Sequence, residues 1–244
     1  MKPTLRLITI ALSMFAVGSF LHAGPPSAAD VGEADSFGHA ALYMGAATGT
    51  VQLSTTPCSG PPPAPGDGSQ CFQIAPSPAV VLTSFNAQDI CRIKLPKKAS
   101  RTIIYPALNM FVSYELENGT GSYQPQSVFA FHASMDIESD ALLDPSIIDP
   151  GTGLPAAGKL VGVFTYTFRD DRAMQSGDRQ RLQETLVRVG NAGIARSFFL
   201  VEGIPASVVD AMFAGPITIR MNMTGSTKLA NNCTVTANMR LFGD

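Results

Sequence analysis

The chain has 244 residues, 45% of them hydrophobic and 15% charged, with a formal net charge of −2 at pH 7. That faintly acidic balance argues against nucleic acid as the main partner. The absence of Trp removes the commonest aromatic platform of a carbohydrate-binding face.

Lys2 and Arg6 precede an apolar run from Leu7 to Leu21. Such a run is too short to span a bilayer comfortably and has the length of a signal-peptide core. Leu21-His22-Ala23 offers a small residue for cleavage before Gly24. The expected organisation is a signal peptide over 1–23, a flexible leader over 24–37, and one β-sandwich domain over 38–244. No Cys follows the apolar run closely, so a lipid anchor is not expected. No later stretch is apolar enough for a membrane helix, so no membrane span is expected after cleavage. The protein is read as exported, periplasmic or extracellular, and the short signal and small domain look bacterial.

Taken in order, His39 to Met44 and Thr50 to Thr55 read as two strands joined near Gly45 to Gly49. A Pro/Gly loop follows, closed at its ends by Cys58 and Cys71. Cys71 to Ile74 is a short strand, and Val80 to Phe85 and Ile90 to Leu95 are two more. Arg101 to Tyr105 and Leu108 to Leu116 are strands bent at Pro106. In the second of these, Leu108, Met110, Val112, Tyr114 and Leu116 share a face. Asn118-Gly119 carries turn chemistry. Gln126 to Glu138 is the clearest interior strand, with Phe129, Phe131, Ala133, Met135 and Ile137 on one phase. Leu160 to Phe168 resumes the alternation, Arg169 to Gly177 is a polar excursion, and Arg181 to Val189 reads as strand. Residues 193–214 form the one helical insertion, with Pro205 suited to a first turn. The last two strands are the cleanest. Ile217, Ile219, Met221 and Met223 alternate with polar residues, Gly225-Ser226 offers a turn, and Cys233, Val235, Ala237, Met239 and Leu241 alternate again. About eleven strands and one helical insertion predict an all-β, antiparallel β-sandwich, with a closed barrel as the alternative.

Four cysteines in an exported chain read as two disulfides. Cys58–Cys71 would close a loop that cannot order itself. Cys91–Cys233 would join two residues on apolar strand phases, so that Cys233→Ala is expected to destabilise strongly. A metal site is a poor alternative, since no CxxC pair is present.

Few residues suggest chemistry. His132 lies mid-strand on the outward phase, and His39 lies near the start of the domain. No nucleophile elbow accompanies either. Asp136, Glu138 and Asp140 share a strand phase, with Asp144 and Asp149 following in a loop. Oxygen-rich loops of this kind can hold Ca²⁺, although Ala141 and Ile147 stand where an EF-hand needs Gly and Glu. Arg92, Lys94, Lys97, Lys98 and Arg101 form a basic run that either contacts an anionic ligand or guards a strand edge. Sequons at Asn118, Asn222 and Asn232 matter only in a glycosylating host. The leading expectation is an exported, non-catalytic β-sandwich with a structural, surface or matrix role, acting by self-association or as a cell-surface component, without a cofactor. A soluble module for a glycan or anionic ligand is the second, and a hydrolase with scattered residues is the third. On the strand phases, Met221→Asp should unfold the domain and Asn222→Asp should be nearly neutral.

Overall fold

Alternating apolar residues commit most of the chain to extended backbone, because a period of two lets a strand bury one face and solvate the other. A computed structural model describes residues 42–59, 66, 68–101, 103–189 and 194–244. The segments read as signal and leader, and His39, lie outside the described residues. Among the described residues, ten strands form: β1 Leu42–Ser54, β2 Ser69–Gln73, β3 Thr83–Leu95, β4 Ile103–Glu117, β5 Gln124–Glu138, β6 Lys159–Met174, β7 Arg179–Val189, β8 Ile194–Ala195, β9 Ile217–Lys228 and β10 Ala230–Gly243. Two short helices, α1 Arg196–Val201 and α2 Ala206–Ala214, lie between β8 and β9. The first sheet runs β2-β1-β10-β4-β7, with β8 also on β4, and the second runs β3-β9-β5-β6. All pairings are antiparallel except β1 with β2. The architecture is the expected β-sandwich.

The two sheets meet over a core of alternate residues. Tyr114 of β4 stacks on Phe129 of β5 with ring centroids 4.6 Å apart, and Phe131 stacks on Phe168 at 5.3 Å. Phe199, Val209, Met212 and Phe213 of the helical segment are buried in the same core. The sheets approach closely where Gly49 of β1 lies against the Ile90 carbonyl of β3, an approach that any Cβ would block.

Several predicted breaks are continuous strand. Gly45 to Gly49 does not turn, because β1 passes through it with an irregularity between Tyr43 and Gly45. The strands predicted on either side of residue 87 are one strand, β3, with a bulge between Ala87 and Cys91. Val80 to Leu82 precede it as exposed loop. Strand β4 runs through Pro106, and β6 continues to Met174 through the supposed polar excursion. Gly225-Ser226 is not a turn either. Gly225 pairs with Phe85, whose ring fills the space its missing side chain leaves. The chain reverses instead at Leu229, where φ is +55°, and β9 and β10 enter different sheets.

Asn118-Gly119 makes no tight hairpin, since β4 and β5 also lie in different sheets. The Asn118 side chain is fully buried and its amide donates to the carbonyls of Ser122, Met174 and Gln175 at 2.8–3.1 Å. Its role in the fold is to tie three chain segments together.

Cys58 and Cys71 form a disulfide with Cα atoms 5.8 Å apart. The second predicted bond is absent, and Cys91 and Cys233 are free, buried thiols. They occupy opposite sheets at different levels. Ile90, beside Cys91, touches Gly49, and Gly49 pairs with Ala237, four residues from Cys233. Four residues of strand are about 13 Å, well past the roughly 7 Å Cα limit for a disulfide. Burial pushes both thiols up to about 12, so neither is a nucleophile at neutral pH.

Candidate functional site

Arg92 of the predicted basic run and Asp136 and Glu138 of the predicted acidic run join one polar network on the outer face of the second sheet, through partners outside both runs. The β3 bulge puts Asp89 in left-handed backbone with φ +54°. Its carboxylate takes ion pairs from Arg92 and from Arg220, the latter at 2.5 Å. Arg220 also reaches Glu138 at 2.6 Å. Asp136, almost fully buried, accepts from Asn222 Nδ2 at 2.8 Å and from the Gly162 amide at 3.0 Å, with Lys159 at 3.5 Å. Asn222 Oδ1 in turn accepts from the Asp89 amide at 2.8 Å. A partly buried ionic network of this kind leaves little charge for a ligand.

The remaining predicted calcium ligands are dispersed. Asp140 lies exposed in a single 3-10 turn over Asp140–Leu142. Asp144 accepts from the amide and hydroxyl of Ser146, which hold its carboxyl below the usual range. Asp149 accepts from Gly151, Thr152 and Val161 and closes its own loop. Among the described residues, no group of three or more His, Cys, Asp or Glu side chains is placed to hold a metal ion. Of the five carboxylates that the sequence suggested, Asp136, Glu138, Asp144 and Asp149 are spent on turns and ion pairs, and Asp140 stands apart from them in its exposed turn.

The basic run is likewise divided. Arg92 belongs to the network, whereas Lys94, Lys97 and Lys98 are exposed. Asp244 accepts from the backbone amide of Arg101 at 3.1 Å and from the Ser100 hydroxyl at 2.6 Å. His132 is exposed on β5 between Thr224 and Thr167, with Nδ1 2.8 Å from the Thr167 hydroxyl.

The outer face of the first sheet has the opposite character. Register aligns three rows across β1, β10, β4 and β7. The first is Gln52, Thr234, Ser113 and Gln183. The second is Thr50, Thr236, Phe111 and Thr185. The third is Thr48, Asn238, Asn109 and Val187. None of these side chains is charged, and hydroxyl and amide groups surround Phe111, which is 53% exposed. The Ser113, Thr234, Gln183 and Thr185 side chains make no hydrogen bond within the described residues, and Asn109 Oδ1 is shielded without a partner.

A depression of about 360 Å³ lies over this patch, lined by Phe111, Ser113, Gln183, Thr185, Thr234 and Thr236 among others. A second, of about 440 Å³, shares Ser113 and Gln183 with it and ends at Glu115, Arg181 and Asn232. Together they form an open trough along β4 and β7. Its charged end is self-satisfied. Glu115 is buried under Arg179 at 2.6 Å, Arg181 at 2.5 Å and Asn231 at 3.1 Å. The Arg179 contact is the largest influence holding its carboxyl down to about 2.

The trough was not recognised from the sequence, although its signal is present. Phe111 stands on the phase opposite Leu108, Met110 and Val112, so an aromatic occupies a position that the alternation assigns to water.

A scan of protein-family models finds no match, and a search of curated proteins finds none. Two solved structures are weakly similar. "Structure of infectious bursal disease virus Gx strain" aligns at 13% identity and a TM-score of 0.19, over 67% of this chain and 31% of that one. "Crystal structure of infectious bursal disease virus VP2 subviral particle" aligns at 9% and 0.19, over 66% and 32%. The chain thus spans about a third of the length of either, and a TM-score at this level carries no inference about function.

Proposed function

We propose that this chain is an exported, non-catalytic β-sandwich with a surface or matrix role, and that its working surface is the outer face of the first sheet. One observation carries the proposal. Around the exposed ring of Phe111, the Ser113, Thr234, Gln183 and Thr185 side chains are unspent, whereas Asp89, Arg92, Arg220 and Glu138 on the outer face of the other sheet pair with one another. Exposed aromatic surface rimmed by polar groups marks contact sites. Export is supported by the signal-like first 23 residues and by the Cys58–Cys71 disulfide, which belongs to oxidising compartments. No described helix is long and apolar enough to cross a membrane.

The test is fractionation of the native host. The wild-type protein is expected in a surface-associated fraction. Phe111→Arg or Thr185→Lys is expected to release it in folded form, whereas Ser84→Lys, on the exposed face of β3, leaves it attached. Release by Ser84→Lys alone would overturn the assignment.

A further inference from the structure

We infer that the partner of the Phe111 face is a neutral polysaccharide; this rests on the working surface proposed above and specifies what occupies it. Three properties of the face select that chemistry. The first is charge. Twelve aligned positions hold no ionisable group. An anionic glycan, a lipid headgroup or nucleic acid would need cations there. The cations that border the rows are Arg181, paired with Glu115, and Arg240, which donates to Asn238, whereas the exposed lysines Lys94, Lys97 and Lys98 lie on or just after β3 of the other sheet.

The second property is hydrogen bonding. Ser113, Thr234, Gln183 and Thr185 present donors and acceptors that nothing in the described protein uses. A protein partner covering them with apolar side chains would strand those groups. A polyhydroxylated chain supplies a donor or acceptor for each, and so recovers what desolvation costs. The third is shape. The patch is about 14 Å across four strands and about 13 Å along them. That footprint exceeds one sugar ring, and the trough continues past it toward Asn232. Phe111, near its middle, provides an apolar disc for the C–H face of a pyranose, while its neighbours reach the hydroxyls at the ring's rim. Phe111 therefore takes the stacking role for which the sequence lacks a Trp.

The experiment measures depletion of the purified, disulfide-intact protein onto suspended cellulose, starch, mannan and β-1,3-glucan. Alginate and sulfated-polysaccharide beads serve as the anionic set. The expected result is binding to at least one neutral polymer, little changed between about 50 and 500 mM salt. Phe111→Ala should weaken it about tenfold at an unchanged melting temperature. Lys97→Glu with Lys98→Glu should leave it intact. Binding only to the anionic set, fading with salt and lost in the double lysine variant, would overturn the inference. So would self-assembly of the chain alone that Phe111→Arg dissolves, since the partner would then be a second copy. If no polysaccharide binds while Phe111→Arg still releases the protein from the native surface, the glycan is refuted and the working surface stands. If Phe111→Arg stays attached to the native surface, the working surface itself is refuted.

Discussion

Asn222→Asp separates the structure most sharply from the strand pattern. By phase, Asn222 points to water and the change is nearly neutral. In the structure it is 6% exposed, opposite the β3 bulge, with its amide nitrogen 2.8 Å from Asp136 Oδ2 and its oxygen 2.8 Å from the Asp89 amide. An Asp keeps the second bond and turns the first into carboxylate against carboxylate. Two charges about 4 Å apart at an effective dielectric of 20 repel by about 4 kcal/mol. The chain can escape by binding one proton, which costs about 4 kcal/mol at pH 7 for a group that ordinarily titrates near 4, and about 1.4 kcal/mol at pH 5.

Arg220 and Lys159 offset part of this repulsion, so the expected penalty is about 3 kcal/mol at pH 7 and about 1 kcal/mol at pH 5. The sign is consistent. The new carboxyl has a raised folded-state pKa, so the variant regains stability as pH falls through that value. Urea unfolding of both proteins at the two pH values measures it, and adding Asp136→Asn should restore most of the loss. A penalty below about 0.5 kcal/mol at pH 7, or one that neither low pH nor Asp136→Asn relieves, would refute the reasoning.

Cys233→Ala should cost only about 1 kcal/mol, the loss of a small buried apolar group, rather than the several expected of a broken cross-link. Correspondingly, two thiols should titrate per chain in denaturant without reductant, and none in the folded protein; a count of zero in denaturant would mean that Cys91 and Cys233 are bonded. Glu115 carries a pH-dependent term. Its carboxyl is held to about 2 from an ordinary 4.5, so its contribution is present above pH 4.5 and is lost as pH falls from there toward 2. Glu115→Gln should flatten that limb of the stability profile, by no more than a kcal/mol or two because the arginine ends are solvated. Equal acid limbs in the two proteins would contradict it.

Much of the sandwich was legible because burial on one face imposes alternation, and alternation survives in Gln124–Glu138, Ile217–Lys228 and Ala230–Gly243. The breaks were harder to place. A glycine that lets sheets approach, such as Gly49, or one that sits under a ring, such as Gly225, has the same letter as a glycine that turns. Bulges defeat phase reasoning outright. The β3 bulge brings Asp89 over Asn222, and a residue on the polar phase becomes buried. Charge clusters along the sequence also misled, because Arg92, with its near neighbour Asp89, meets Glu138 and Asp136 only through Arg220 and Asn222 of the distant strand β9. Thr, Ser and Gln residues across four strands become one surface only when register aligns them.

Hydroxyl-radical footprinting of the protein bound to its native surface tests the central claim most directly. Phe111 and Tyr123 are both more than half exposed, and Tyr123 lies away from the trough and outside the strands, so it serves as an internal control. The prediction is that attachment protects Phe111 from oxidation and leaves Tyr123 at its free rate. Unchanged oxidation of Phe111 in the attached protein would contradict it.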